Sequence, residues 1–172
     1  DNAPLLAIAY NNLAENLRYM LKDGHRSPQN PKYNFLAISK LYGRAEQIWD
    51  QWKDAKDDEV DYWRGTLYNN MGLYQMESVR HFPHALVHFL KASEIRKTLL
   101  DRLSSASSDS ESPVNSAQID MVELRSHLAV TFNNIGQCYV NMRQTKQAMP
   151  FFDNAKYLFD QYRAMQPNES ID

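Results

Sequence analysis

Tyr10-Asn11-Asn12-Leu13-Ala14, Tyr68-Asn69-Asn70-Met71-Gly72 and Phe132-Asn133-Asn134-Ile135-Gly136 are three copies of one phrase. Each is an aromatic, two asparagines, a large aliphatic and a very small residue. From position 10 to 68 is 58 residues and from 68 to 132 is 64, a similar but not fixed period. Such repetition marks one supersecondary unit used three times, each burying an apolar face on the next.

Around each copy the apolar residues recur at helical spacing. Asn2 can cap a first helix with Pro4 in its opening turn, and Leu6, Ala9, Tyr10, Leu13, Leu17 and Leu21 are then expected on its inner face. Gly24 ends it, Gly24 to Asn30 is a loop, and Asn30-Pro31 repeats the cap-then-proline signal. The second helix, over 31–54, carries Phe35, Ile38, Leu41, Tyr42, Ala45, Ile48, Trp49 and Trp52. The acidic cluster Asp54, Asp57, Asp58, Glu59 and Asp61 reads as the start of a third helix, where carboxylates face the positive end of the dipole. It lacks the glycine turn and ligand spacing of a calcium loop.

That third helix carries Val60, Trp63, Leu67, Tyr68, Met71, Gly72 and Gln75, and Phe82-Pro83 marks the turn after it. A fourth carries Ala85, Phe89, Ala92, Leu99 and Leu103. Ser104 to Ser116 holds seven serines in thirteen residues, with Asp109, Glu111 and Pro113, and reads as a mobile loop because it cannot bury apolar surface. The fifth helix is expected from Ser116 or Ala117 to Met142, with Ile119, Val122, Leu128, Phe132, Ile135 and Tyr139 on one face. Thr145 caps the sixth, which runs through Ala148, Phe151, Phe152, Ala155, Leu158, Phe159 and Tyr162. Pro150 sits deep for a helix opening, so an irregular first turn or a later start is expected there. The fold class is thus all-α, about six helices in stacked antiparallel pairs within one domain over 1–172. Repeat 1 spans about 3–55, repeat 2 about 57–103 and repeat 3 about 117–165, with a frayed tail at 166–172.

Composition narrows the function. The 172 residues are 43% hydrophobic, enough for a core, and five glycines argue against a turn-dense β fold. A net charge of −2 with interspersed signs gives no electrostatic case for nucleic acid and points to protein or peptide partners. No apolar run approaches the ~20 residues of a membrane span, so no membrane insertion is expected. The lone Cys138, between Gln137 and Tyr139, reads as a small core residue in a reducing, cytoplasmic compartment. Asp1-Asn2-Ala3-Pro4 has neither an initiator methionine nor the basic stretch of a signal peptide, so the chain reads as a fragment or a processed form.

Three helix pairs, each opening with the phrase, resemble the tetratricopeptide repeat. The third pair matches best, with Phe132, Ile135, Gly136, Tyr139, Ala148, Phe152 and Ala155 at the family's spacings. In the second, Tyr68, Met71, Gly72, Ala85, Phe89 and Ala92 match after one extra residue in the turn, and Gln75 replaces the usual aromatic. The first offers Tyr10, Leu13, Ala14 and Leu17 with Ile38, Tyr42 and Ala45. The repeats exceed the family's usual length, which affects the curvature expected of an α-solenoid but not its stacked hairpins. Gly72, Gly136 and Ala14 are expected to let the helices of a pair approach, and Ala92 and Ala155 to leave room for the next pair.

The resemblance implies a concave groove lined by the first helix of each pair. A helix turns 100° per residue, so Asn11 and Asn12 cannot both share an inward face, and one asparagine per repeat should look outwards. The second of each pair resembles the asparagine with which kinesin light chains and related scaffolds hold an extended peptide backbone. By position these are Asn12, Asn70 and Asn134, with Asn69, Asn133, Leu73, Glu77, Gln137 and Asn141 as further peptide-binding candidates. Glu15, Arg18, Met76 and Val140 complete the expected surface. An amide donates and accepts, so it can pair with a peptide backbone in either direction. Asparagine is a mediocre helix former, so three pairs on three helices do not come from local propensity. The alternative is that the amides bond between neighbouring helices or to water. Where the family pattern for clamping a chaperone's carboxylate tail wants most of its lysines and arginines, this sequence has asparagine, glutamate and valine.

The expected function is therefore a scaffold or adaptor module binding a peptide segment of a partner. The rival is a structural or oligomerisation part of a larger helical assembly, through a second copy or further helices, with Phe159, Tyr162 and Met165 exposed to seek a neighbour. A remoter rival is a metal-dependent enzyme on His81, His84 and His88, which lacks a glutamate between the histidines to act as base. Trp49, Trp52 and Trp63 read as core at the first junction. No phosphate loop, nucleophile elbow or framed acid–base pair is present, so no catalytic residue, metal or cofactor is assigned. Ser108 near Glu111, and Ser112 before Pro113, are candidate phosphorylation sites.

Overall fold

The computed structural model describes residues 2–22, 31–52, 54–55, 57–109 and 119–165. Among these residues the protein is all-helical: α1 (Ala3–Lys22), α2 (Pro31–Asp50), α3 (Asp58–Leu73), a π-helical turn (Tyr74–Val79), α4 (Phe82–Asp109), α5 (Met121–Asn141) and α6 (Thr145–Met165). The proposed Gly24 stop, the Gly24 to Asn30 loop, the Asn30 cap, Glu111, Ser112 and the tail fall outside the described residues. So do the Ser116–Ala117 start of the fifth helix and the Ser108 side chain.

Helix starts follow the acidic signals. The Asp57 carboxylate accepts from the backbone N–H of Glu59 and Val60, which satisfies two orphan donors of α3. The Asp120 carboxylate does the same for Val122, and α5 runs from Met121. α4 runs on to Asp109, so the expected loop at Ser104 is helical for its first six residues, with the Ser105 hydroxyl bonded back to the Asp101 carbonyl. α6 starts at Thr145 and passes through Pro150 without a break. A proline that early removes a bond only to the Lys146 carbonyl, in the first turn.

The hairpins are held by the predicted small residues. A Cβ on Gly72 would stand 2.5 Å from the Phe89 ring, and one on Gly136 2.6 Å from the Phe152 ring. Helix axes thus approach where a hydrogen replaces a methyl, and the aromatic of the partner helix fills the gap. Residues far apart in sequence show how the hairpins align. α1 and α3 run parallel, joined at Asn11–Asn70 and Arg18–Glu77, both 59 residues apart. α3 and α5 are also parallel, joined at Asn69–Thr131 and Met76–Cys138, both 62 apart.

Two apolar clusters result. One joins α1, α2 and α3 around Ala14, Ile38, Tyr42, Trp49, Leu67 and Tyr74, with Trp52 and Trp63 packed against it. The other joins the π turn, α4, α5 and α6 around Met76, Phe89, Phe132, Ile135, Cys138 and Ala155. The tryptophans and Cys138 are packing residues as expected, and burial pushes the Cys138 thiol up to about 11.

Three expectations need correction. α1 buries Ala7, Asn11, Ala14 and Arg18, while Leu6 and Leu13 lie exposed. Of the face expected inward, Tyr10, Leu17 and Leu21 do pack against the first cluster, while Leu6, Ala9 and Leu13 do not; Asn11 and Arg18 follow Ala7 and Ala14 at helical spacing instead, and their polar groups have partners on α3 and the π turn. The extra residue of the second hairpin sits in the helix, not in the turn. The closing bond there spans six residues, from His81 N–H to the Gln75 carbonyl (2.8 Å); in the third hairpin it spans five, from Gln144 to Tyr139 (2.8 Å). An i→i+5 turn absorbs one residue, and Arg80 then ends the helix in the left-handed region (φ 62°), as Arg143 does after α5 (φ 61°). Phe159 is half-buried and packs on the second cluster, and Tyr162 is half-buried too, so these two do not form the exposed end expected of them; the exposed aromatic of α6 is Tyr157. The Met165 side chain lies outside the described residues.

Candidate functional site

The asparagines divide by their place in the stack. Asn11, Asn69 and Asn134 are buried, Asn70 is half-buried, and Asn12 and Asn133 are exposed. The Asn70 side-chain N–H₂ donates to Asn11 Oδ1 at 3.1 Å, and that of Asn134 donates to Asn69 Oδ1 at 3.4 Å. Across each junction the second asparagine of one phrase therefore reaches the first asparagine of the phrase before it. Among the described residues no hairpin packs before Asn12 or after Asn133, and these two face outwards. One asparagine per repeat was expected outwards; in the third hairpin that is Asn133, with Asn134 turned into the junction.

Each clasp is embedded in a larger polar seam. At the first junction Arg18 is buried and donates to Glu15 (2.7 and 2.9 Å) and to Glu77 on the π turn (2.8 Å), while Tyr42 donates to Glu15. Lys22 reaches Glu77 at 3.4 Å. Burial works against the Arg18 charge, but Glu15, with Tyr42 and Glu77, outweighs it and holds the guanidinium protonated. Burial, then the Glu15 carboxylate, keeps the Tyr42 phenol protonated.

At the second junction Arg96 is only 4% exposed and, among the described residues, has no carboxylate within ion-pair distance. It donates to the His127 carbonyl at 3.0 Å and to Thr131 Oγ1, whose hydroxyl also lies 3.3 Å from Asn69 Oδ1. Desolvation lowers the Arg96 pKa to about 10. Gly65 makes room for it, since a Cβ there would lie 3.1 Å from Arg96 Cγ. Nothing in the sequence reading singled out Arg96; an arginine in the register of an apolar helix face was the available signal.

Of the other candidates, Leu73 packs against the second cluster and Met76 is buried, while Glu77 is tied to Arg18. Gln137, Val140 and Asn141 are exposed on α5, with the Asn141 amide bonded to the Gln137 carbonyl. The Asn133 and Gln137 side chains, Asn12 Nδ2, and Oδ1 of Asn70 and Asn134 have no hydrogen-bond partner among the described residues. The face formed by α1, α3 and α5 thus keeps amide groups that packing has not used.

The three histidines do not converge. His81 and His84 are exposed and stacked at 3.8 Å, and His88 is stacked on Tyr68 instead. Burial, aided by Lys91 and His84, lowers the His88 pKa to about 4. Among the described residues no three His, Cys, Asp or Glu side chains are grouped to hold a metal ion. A cleft of about 380 Å³ between α3 and α4, lined by Asp61, Arg64, Tyr68, Lys91 and Glu94, lies away from the asparagine face. Of its charges, Asp61 and Arg64 pair with each other (3.2 Å) and Lys91 reaches Glu46 of α2 (3.9 Å). Among the described residues no helix is long and apolar enough to cross a membrane. No family model, curated protein or solved structure matches the chain.

Proposed function

We propose that the protein is a tetratricopeptide-like interaction module, a cytoplasmic scaffold or adaptor that takes an extended segment of a partner protein across the face of α1, α3 and α5. The observation that carries this is the surplus of amides on that face: Asn12, Asn133 and Gln137, with one oxygen each on Asn70 and Asn134 left over from the clasps. Extended backbone needs donors and acceptors at intervals, and amides supply both. Tyr19, Val130 and Val140 stand exposed among them and supply apolar contact for alternate side chains. Absence of a framed nucleophile or acid–base pair leaves binding rather than catalysis as the reading.

A peptide-display selection against the whole chain tests it. Selected peptides are expected to lose about tenfold in affinity, about 1.4 kcal/mol, on each of Asn12→Ala, Asn133→Ala and Gln137→Ala. Melting should be unchanged for Asn133→Ala and Gln137→Ala, whose side chains have no hydrogen-bond partner among the described residues; Asn12→Ala also removes the acceptor of the buried Asn11 amide (3.2 Å) and should lower stability by about 1 kcal/mol. Peptides that bind all three variants as well as wild type would refute the assignment.

A further inference from the structure

The exposed side of α1 repeats a surface that the protein covers everywhere else. Counted from the aromatic of the phrase, Leu6, Ala9 and Leu13 occupy the positions of Leu128, Thr131 and Ile135 on α5. Those three are buried at the junction with the preceding hairpin, where Arg96 of α4 bonds to Thr131. On α3 the same positions are Arg64, half-buried and paired with Asp61, Leu67, buried, and Met71, packed against the first cluster. On α1 they are bare: Leu6 is 48% exposed, Leu13 49% and, one turn pair further, Met20 51%. The face is therefore shaped to receive a helix.

We infer that its occupant is α1 of a second copy, packed antiparallel across a two-fold axis at Leu13. Leu6, Leu13 and Met20 are spaced by seven, so reversal about Leu13 places Leu6 of one copy on Met20 of the other and Leu13 on Leu13. The same reversal sets the small, exposed Ala9 beside the edge of Leu17, which is half-buried on its own first cluster. Between Asn2 and Met20 no charged side chain lies on the exposed side, so the two copies bring no like charges together. The opposite end of the stack argues against head-to-tail growth. α6 also shows solvent Met149 and Tyr157, but interleaves them with Asp153, Lys156, Asp160 and Arg163, with Lys156 paired to Asp160 at 2.6 Å, and an apolar helix laid over them would desolvate those charges without return. An isologous pair closes at two, whereas a heterologous stack does not. Two helices of this length bury on the order of 1,000 Å² in total, the lower limit for a specific interface, so the dimer is a weak, concentration-dependent one.

Sedimentation of the whole chain over a range of concentrations tests the inference. The weight-average mass is expected to rise from one chain to two and stop there, and Leu13→Glu to stay at one with unchanged circular dichroism. Oxidised Leu13→Cys should form a disulfide-linked dimer, because the axis brings position 13 of both copies together. Cys138 is buried and gives no such product, and Asn133→Cys serves as the exposed control. A wild-type mass of one chain throughout, a mass climbing past two, or a Leu13→Glu variant that still doubles would overturn it. If Leu13→Glu fails to fold, the cysteine arm decides, and cross-linking no greater than that of Asn133→Cys refutes the two-fold geometry.

Discussion

Replacing Asn69 by alanine tests whether the asparagine phrase is a clasp. Asn69 Oδ1 accepts from Asn134 Nδ2 at 3.4 Å and faces the Thr131 hydroxyl at 3.3 Å. The variant strands the Asn134 amide at a buried position, while Thr131 keeps its bond to the His127 carbonyl at 2.9 Å. One lost neutral hydrogen bond is worth about 1 kcal/mol, and a donor left dry adds to that, so the total is about 1–2 kcal/mol. Both bonds are long, which places the outcome at the low end. For a chain of this size 1 kcal/mol moves the melting point by about 2–4 °C. Asn134→Ala should cost a similar amount, and the double variant less than the sum, with a coupling of about 0.5–1 kcal/mol. Urea unfolding of the four proteins by circular dichroism measures this directly. Strict additivity, or single variants within about 0.3 kcal/mol of wild type, would mean the two amides are not coupled and the junction is held by other groups.

Two further outcomes are expected. Gly43 has open space where a Cβ would go, so Gly43→Ala should stabilise by roughly 1 kcal/mol through helix propensity. Gly72→Ala should lose more than it gains, because the Cβ meets the fully buried Phe89 ring and overpacking costs about 1–3 kcal/mol; differential scanning fluorimetry ranks the pair. Stability should also fall on acidification. His88 is held near pKa 4 by burial, and His127 is lowered by burial and by Arg96, so the unfolded chain binds protons more readily below its ordinary value of ~6.5. The contribution is present above about pH 6.5 and is lost as pH falls toward 4, by about 1 kcal/mol for His88 once solvent screening is discounted; His88→Phe, which keeps the stack on Tyr68, should flatten that part of the curve.

Much of the fold was readable from residue spacing. The repeated phrase located α1, α3 and α5, the 3.6-residue pattern gave the number of helices, and the glycine–aromatic pairs Gly72 with Phe89 and Gly136 with Phe152 are local steric statements that need no further context. Capping aspartates at 57 and 120 act through backbone N–H groups two or three residues away, so they too are visible in the chain.

What the sequence alone could not settle is whatever depends on a neighbour. A helix inside a stack meets its hairpin partner on one side and adjacent hairpins on others, so periodicity gives the candidate faces without ranking them. Hence α1 buries Asn11 and Arg18 and exposes Leu6 and Leu13: its polar groups find partners on α3 and the π turn, and these two leucines lie uncovered among the described residues. Arg96 follows the same logic, since its partner, the His127 carbonyl, lies 31 positions away. The sequence by itself determined the repeating helical hairpin, because spacing, capping and small-residue contacts act within one or two helices. Only the tertiary structure decided which asparagine of each pair is a clasp, because hydrogen bonding between hairpins depends on which of them has a neighbour.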